Sequence, residues 1–525
     1  MSFSKINASA ATLTRNRTAH DVCPISGLCV TCEEGCVGLC EVGKSAYRGT
    51  EMIYPQPYGT ITASAQKDYP VDLSHFNIMG TARGAYGVGA DSDVAIFPNV
   101  RLETSLGQNG GIKLSLPITI PGLGSTEVAR RNWEGLAVGA AISGLLLTVG
   151  ENVCGMDEEA VIRDGRVVDS PSLAQRVKTY LDWHDGRGGI VVQSNVEDTR
   201  LGVLEYVLSE LGVESVELKW GQGAKDIGGE VKIQSLEKAQ LLKSRGYIVL
   251  PDPENPEVVE AFQNGVFHEF ERHSRVGMVD LEGFLARAKE LRQMGAKHVL
   301  LKTGAYRPAD LARAIKFSSL AKIDVLTIDA AGGGTGMSPW RMMNEWGVPP
   351  VELESLAYQY AHRLAQKGQY VPSLVMAGGF VLEDQIFKGL ALGAPYVKAI
   401  GMARGPLVAA MVGKTIGQKM QEGRLPSSVQ KYGESLDEIF IASAELKSRY
   451  GRDYKRIPPG ALGLYTYLQR VAQGLRQLMG GARKFALEFI DRSDIVALTR
   501  EAAEISGIAY IMDADKDEVD EILDC

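Results

Sequence analysis

The stretch Thr327-Ile-Asp-Ala-Ala-Gly-Gly-Gly-Thr-Gly-Met-Ser-Pro339 decides the fold, together with Val375-Met-Ala-Gly-Gly379 some forty residues on. Each is an apolar strand that ends in glycines and leads into a helix. Bare backbone N–H groups at such a junction approach and hold a phosphate closely. Two of these strand ends in series predict a parallel α/β barrel with a phosphorylated cofactor on its C-terminal face. From Leu116 onward the chain alternates strand and helix patterns. Strands are expected at 116–121, 144–150, 189–193, 214–220, 298–303, 324–329, 373–377 and 396–400. Amphipathic helical stretches such as Leu281–Met294 and Val351–Lys367 separate most of them. Eight strands over this length predict a (β/α)8 TIM barrel.

The cysteines are equally uneven. Five of the seven lie close together, Cys23, Cys29, Cys32, Cys36 and Cys40, in the spacing C-x5-C-x2-C-x3-C-x3-C. Thiolates at this density suit an iron–sulfur cluster or zinc. Only one C-x2-C knuckle is present, whereas zinc ribbons pair two. The small residues Val30, Gly35, Val37 and Gly38 between the thiols fit wrapping around a cluster, here taken as [4Fe-4S]. Its expected ligands are Cys29, Cys32, Cys36 and Cys40, with Cys23 the alternative fourth; zinc and a redox or structural thiol group are the competing readings.

The organisation follows from these landmarks. Residues 1–60 read as a Cys-rich iron–sulfur module, 61–110 as a linker subdomain, 111–405 as the barrel and 406–525 as a helical C-terminal region. An excursion over 226–280, with the turn cluster Pro251-Asp-Pro-Glu-Asn-Pro256, is expected to cover the barrel mouth. Helices are expected at 406–421, 435–449, 460–481 and 494–506, and the acidic end from Asp513 to Asp524 is expected to be solvated. A chain of 525 residues with a net charge of −8 has no basic stripe for nucleic acid. Met1–Asp21 lacks an apolar core for a signal peptide, and the apolar run Gly135–Gly150 is too short to span a bilayer. A cytoplasmic protein acting on a small molecule is expected.

The stretch Val216-Glu-Leu-Lys-Trp-Gly-Gln-Gly-Ala-Lys225, followed by Gly228-Gly-Glu230, adds a second motif. With Asp329–Pro339 it resembles the FMN-binding domain of glutamate synthase in its short archaeal-type form. Val375–Gly379 and Ile400-Gly401 stand where that family's flavin-phosphate strands end. Thr148-Val-Gly-Glu151, Arg200-Leu-Gly-Val203 and the tail Ala482–Ile508 are weaker matches, and the likeness runs over about residues 110–508. The resemblance implies a flavin-dependent oxidoreductase acting on CH–NH2 donors. It would move a hydride between FMN and a small imino or amino acid such as 2-iminoglutarate, in glutamate biosynthesis.

The departures are specific. The chain starts Met1-Ser2-Phe3 rather than with a nucleophilic cysteine, so no glutaminase chemistry is expected of it. Gly401–Lys419 lacks the family's cysteine loop after the last strand, which leaves the N-terminal cysteines to supply any cluster. No GxGxxG unit follows a strand, so ferredoxin or a separate reductase or glutaminase subunit is the expected partner. An FMN enzyme with an unrelated substrate, an electron-transfer subunit of a larger complex and a zinc-stabilised non-redox barrel are the alternatives. The helical tail offers a surface for a homo-oligomer.

The cofactor's chemistry suggests residues. Gly378, Gly379, Gly401 and the Met402 backbone are assigned to the phosphate; simple strand–helix packing is the plainer explanation of the glycines. A reduced flavin carries negative charge that a cation at a strand end stabilises. Lys219 is the first candidate and Lys302 the second, because a lysine in an apolar strand is costly without a reason. Gln222 is expected at the ring or the substrate. Glu151 and Lys225 would orient a carboxylate or imine, or form a surface ion pair. Gly332, Gly333, Gly334, Thr335 and Gly336 are expected to form a flavin or substrate loop, with a simple turn the plainer reading. The expected catalytic set is Lys219, Gln222 and Glu151.

Overall fold

Apolar runs that alternate between a barrel interior and a helical shell form eight parallel strands. They are β1 (Ile118–Leu123), β2 (Leu146–Val149), β3 (Gly189–Ser194), β4 (Ser215–Lys219), β5 (His298–Thr303), β6 (Val325–Asp329), β7 (Ser373–Ala377) and β8 (Val397–Gly401). In this computed structural model they close into one barrel in sequential order, with β8 pairing back onto β1. The structure describes residues 67, 69–108, 111–224, 227, 230–333 and 338–524. The expected (β/α)8 barrel is therefore present, each strand within two residues of its predicted start. The Cys-rich segment lies outside the described residues.

The helical shell comprises α1 (Glu127–Ile142), α2 (Pro171–Leu181), α3 (Val203–Ser209), α4 (Leu281–Gln293), α5 (Pro308–Leu320), α6 (Pro350–Gln366), α7 (Glu383–Leu392) and α8 (Arg404–Gln421). Their starts are chemically marked. Thr126 caps α1 and Asp280 caps α4 through side-chain acceptors, and proline opens α2, α5 and α6. A ninth helix, α9 (Pro459–Gly481), packs along α8 and α1. It comes so close that a side chain at Gly135 would stand 2.8 Å from the Gly460 Cα.

Inside the barrel the strands change character along their length. Near their starts Leu146, Val191, Leu300, Val325, Val375 and Ala399 form a dry layer with Leu106, Ile112 and Leu114. Those last three belong to an antiparallel hairpin, Thr104–Leu106 with Ile112–Leu114, that floors the barrel. It is tied there by the Gly107 amide donating to Ser373 Oγ (3.1 Å) and the Gln108 amide to Asp324 Oδ1 (3.2 Å). Two residues further along, on the same inward side, Thr148, Gln193, Lys302 and Thr327 are buried polar groups. The floor is apolar and the mouth is charged.

The excursion between β4 and α4 folds as a three-stranded antiparallel sheet. Phe270–His273 lies between Glu230–Ile233 and Ile248–Leu250. Helices Leu236–Ser244 and Pro256–Gln263 cover it around a small core that includes Leu242, Tyr247 and Phe270. The C-terminal region differs from its helical reading. Residues 435–449 break into Leu436–Ile439 and Ser443–Tyr450. Ile495–Ala497 is a strand that pairs antiparallel with Phe76–Ile78, and only Arg500–Ser506 is helical. A β-branched Ile-Val pair with a waiting partner strand overrides the helical pattern. The end is the exposed helix Lys516–Asp524. Among the described residues no helix is long and apolar enough to cross a membrane.

Candidate active site

At the C-terminal mouth two lysines stand side by side, because Lys219 of β4 is in register with Lys302 of β5. Each has its own carboxylate. Lys219 Nζ donates to Glu151 Oε1 at 2.7 Å and to Gln222 Oε1 at 2.8 Å, which unites the three residues of the expected catalytic set. Lys302 Nζ lies 3.1 Å from Asp329 Oδ2. Below them, Gln193 Nε2 donates to Glu217 Oε1. Both lysine side chains are nearly enclosed, at 9% and 6% exposure, so each ammonium depends on its partners rather than on water.

The electrostatics of this layer are uneven. Burial works to raise the Glu151 carboxyl, but the charge and hydrogen bond of Lys219 outweigh it and bring it down to about 2. Burial pushes the Glu217 carboxyl above its ordinary value, with Lys302 opposing. Burial also acts to lower the Lys302 ammonium, yet the Asp329 and Glu217 carboxylates hold it above its usual value. The mouth thus presents two lysines, each beside a carboxylate, above a buried Glu217 whose carboxyl burial pushes above its ordinary value. Divergent carboxyls of this kind are what acid–base chemistry uses.

The glycine ends of the strands frame this layer. Gly378 and Gly379 follow β7 with φ of 124° and 108°, conformations that favour glycine. A side chain at Gly378 would stand 2.7 Å from Ala330 Cβ, whereas one at Gly379 would meet nothing within 4 Å. The first glycine lets the loops after β6 and β7 touch, and the second leaves open space where a side chain would stand. The N-terminus of α8 opens beside them after Gly401. Two bare glycines beside a helix start, in a mouth that also carries Lys219 and Lys302 on β4 and β5, fit a phosphorylated flavin. The Met402 backbone, expected at the phosphate, donates its N–H to Thr119 O at 2.9 Å.

The remaining residues sort plainly. Gly333 sits against Asp329, where a Cβ would meet Oδ1 at 2.2 Å. Lys225, Gly334, Thr335, Gly336 and all five clustered cysteines lie outside the described residues. Trp220 packs edge-on against Phe284 and Phe317, outside the barrel, and Met343 is buried. Gln193, Glu217 and Asp329 were not singled out from sequence. Their signal is a polar residue every second position on an otherwise apolar strand, Glu217-Leu218-Lys219 being the clearest case.

Comparisons with known proteins agree with this frame. Residues 271–415 match the conserved region in glutamate synthase. The chain is 27% identical over 397 residues to the archaeal glutamate synthase [NADPH] of Archaeoglobus fulgidus, covering 75% of this chain and 61% of that protein. It is 25% identical over 354 residues to the archaeal-type glutamate synthase [NADPH] of Dehalococcoides mccartyi, covering 64% and 62% of the two chains. The chain therefore spans about three-fifths of the length of these relatives. Among solved structures, a Pediococcus acidilactici lactate oxidase matches with a TM-score of 0.45 and 12% identity, over 87% of this chain and 94% of that one. By its matched region and these relatives, the chain is similar to the glutamate synthases over part of its length.

Proposed function

We propose that the protein is an FMN-dependent oxidoreductase that interconverts a small imino acid, such as 2-iminoglutarate, and the corresponding amino acid. The observation that carries this reading is the Lys219–Glu151–Gln222 constellation, in register with Lys302–Asp329 beneath the Gly378–Gly379 strand end. Both archaeal-type relatives are named as glutamate synthases, which supports the substrate class. Bound FMN supplies a carrier that accepts electrons singly and delivers them as a hydride.

The chain's own residues do the rest. Gly378, Gly379 and the start of α8 would hold the phosphate. Lys219 would face negative charge on the reduced ring or on a substrate carboxylate, and Glu151 keeps that ammonium oriented. Gln222 would present its amide to the ring's polar edge or to the substrate. Glu217 would accept from Gln193 beneath the two lysines. The thiolates of Cys29, Cys32, Cys36 and Cys40, with Cys23 as the alternative, form a donor set suited to a [4Fe-4S] cluster, fed by ferredoxin or a separate reductase subunit. A second reading, an unrelated small substrate on the same scaffold, is favoured by one observation: Gly401–Lys419 contains no cysteine where the resembling family has its cluster loop.

The test is reoxidation of chemically reduced protein under anaerobic conditions by 2-oxoglutarate with ammonium. Flavin reoxidation coupled to stoichiometric glutamate supports the reading. Reoxidation by other small electrophiles, with none by this pair, would move the protein to the second reading.

A further inference from the structure

Immediately after Glu151 stands Asn152, a non-glycine residue in the left-handed conformation, with φ of 64°. Asparagine tolerates this region better than most residues, but the conformation persists only where the surroundings impose it. Two side chains from elsewhere in the fold do so. The Asn152 N–H donates to Asp198 Oδ2 at 2.8 Å, and its side-chain Oδ1 accepts from the Tyr247 hydroxyl at 3.3 Å. Asn152, Asp198 and Tyr247 are 2%, 1% and 4% exposed, so water does not compete for these bonds. Gly155 makes the approach possible, since a side chain there would stand 1.7 Å from the Tyr247 hydroxyl oxygen.

Tyr247 and Asp198 come from separate elements. Tyr247 belongs to the excursion between β4 and α4, and its ring lies under the buried Arg272 guanidinium at 5.0 Å. Asp198 lies in the first turn of the helix Val196–Leu201, which follows β3. Its neighbour Glu197 accepts from the Arg275 backbone N–H at 2.8 Å and from the Arg275 side chain at 3.0 Å. Two adjacent carboxylates of one helical turn thus hold two different things. Glu197 holds Arg275, two residues past the strand Phe270–His273, and Asp198 holds the peptide next to Glu151.

We propose that Asp198 and Tyr247 are positioning residues that act on Glu151 through Asn152, so that the seating of the excursion sets the geometry of the Glu151–Lys219 pair. This rests on the reading of that pair as part of the active site. The excursion is then a working part of the mouth rather than a passive cover. Asp198 Oδ1 and Arg272 Nε are both buried without a hydrogen-bond partner. The groups facing Asp198 are Glu151 and Cys154 from the β2 loop, Asn195 from its own cap, and Arg272 and Tyr247 from the excursion. Burial, with Glu151 adding, raises the Asp198 carboxyl to about 7.

The experiment uses the full chain and the variants Asp198→Ala, Asp198→Asn and Tyr247→Phe. Hydrogen–deuterium exchange is read in the segment 150–156, with the β7 segment Ser373–Ala377 as control. Asp198→Ala should speed exchange at the Asn152 amide about tenfold, the loss of one buried hydrogen bond. Asp198→Asn keeps a carbonyl acceptor and should stay within about twofold, and Tyr247→Phe should fall between the two. In the flavin-loaded protein, the visible flavin band of Tyr247→Phe should shift while that of a distant surface variant, Arg83→Gln, does not. Unchanged exchange in segment 150–156 overturns the proposal, as does a rise matched in the β7 control, which would mean general destabilisation. If the wild-type chain binds no flavin, the proposed function fails, yet the exchange result still decides the positioning roles.

Discussion

Lys219 is held by two oxygen acceptors at 2.7 and 2.8 Å, one of them a carboxylate that is itself largely enclosed. Removing the ammonium strands that carboxylate. Lys219→Met should destabilise the fold by about 3 kcal/mol at pH 7, the cost of leaving one partner of a buried pair uncompensated, and should abolish turnover. The sign with pH follows from Glu151, whose folded pKa is lowered from 4.5 to about 2. Its favourable contribution is present above the unfolded value and is lost as pH falls through the folded one. The gap between wild type and Lys219→Met in urea unfolding should therefore shrink as pH drops through that window. Asp198 has the opposite sign. Its folded pKa is raised from 3.8 to about 7, so the folded state keeps a proton that the unfolded chain has lost, and stability falls as pH rises across that interval. Asp198→Asn should raise the melting temperature at pH 8 and change it little at pH 4. At this scale the sequence was informative wherever a charge interrupted an apolar run, as at Lys219, Lys302 and Glu151. Asn152, Asp198 and Tyr247 were not legible, because their meeting depends on three segments far apart in the chain.

Among elements, the ends of β6, β7 and β8 frame the proposed phosphate position, and β4 and β5 carry the lysines. Gly378→Ala would place a Cβ 2.7 Å from Ala330 Cβ in a backbone conformation with φ of 124°. The loops after β6 and β7 would have to separate, and FMN affinity should fall at least about tenfold, read by fluorescence titration, where one lost phosphate hydrogen bond to a charged group already suffices. At the opposite face, Leu114 is fully buried in the barrel floor. Leu114→Ala should cost roughly 2–5 kcal/mol in chemical unfolding, with turnover per folded molecule retained because the mouth lies at the other end of the strands. The barrel strands were legible because each is a continuous apolar run with a glycine or charged end, the pattern of a strand buried on both sides. The floor hairpin was not, since its three-residue strands carry no period. Ile495–Ala497 was misread as helical because its partner strand Phe76–Ile78 lies more than four hundred residues away in the sequence.

At the scale of the whole molecule, a barrel proposed to hold FMN follows a Cys-rich N-terminal segment. The barrel is a property of the described structure, and residues 271–415 match the conserved region in glutamate synthase. The flavin and the cluster are proposals that one sample can test together. The deciding measurement is an ultraviolet–visible spectrum of the anaerobically purified full chain, with flavin, iron and sulfide quantified on the same sample. The account predicts flavin bands over a broad thiolate-to-iron shoulder, with about one FMN and about four irons per chain. A colourless protein that takes up no FMN on titration, whether or not it holds zinc, would contradict it.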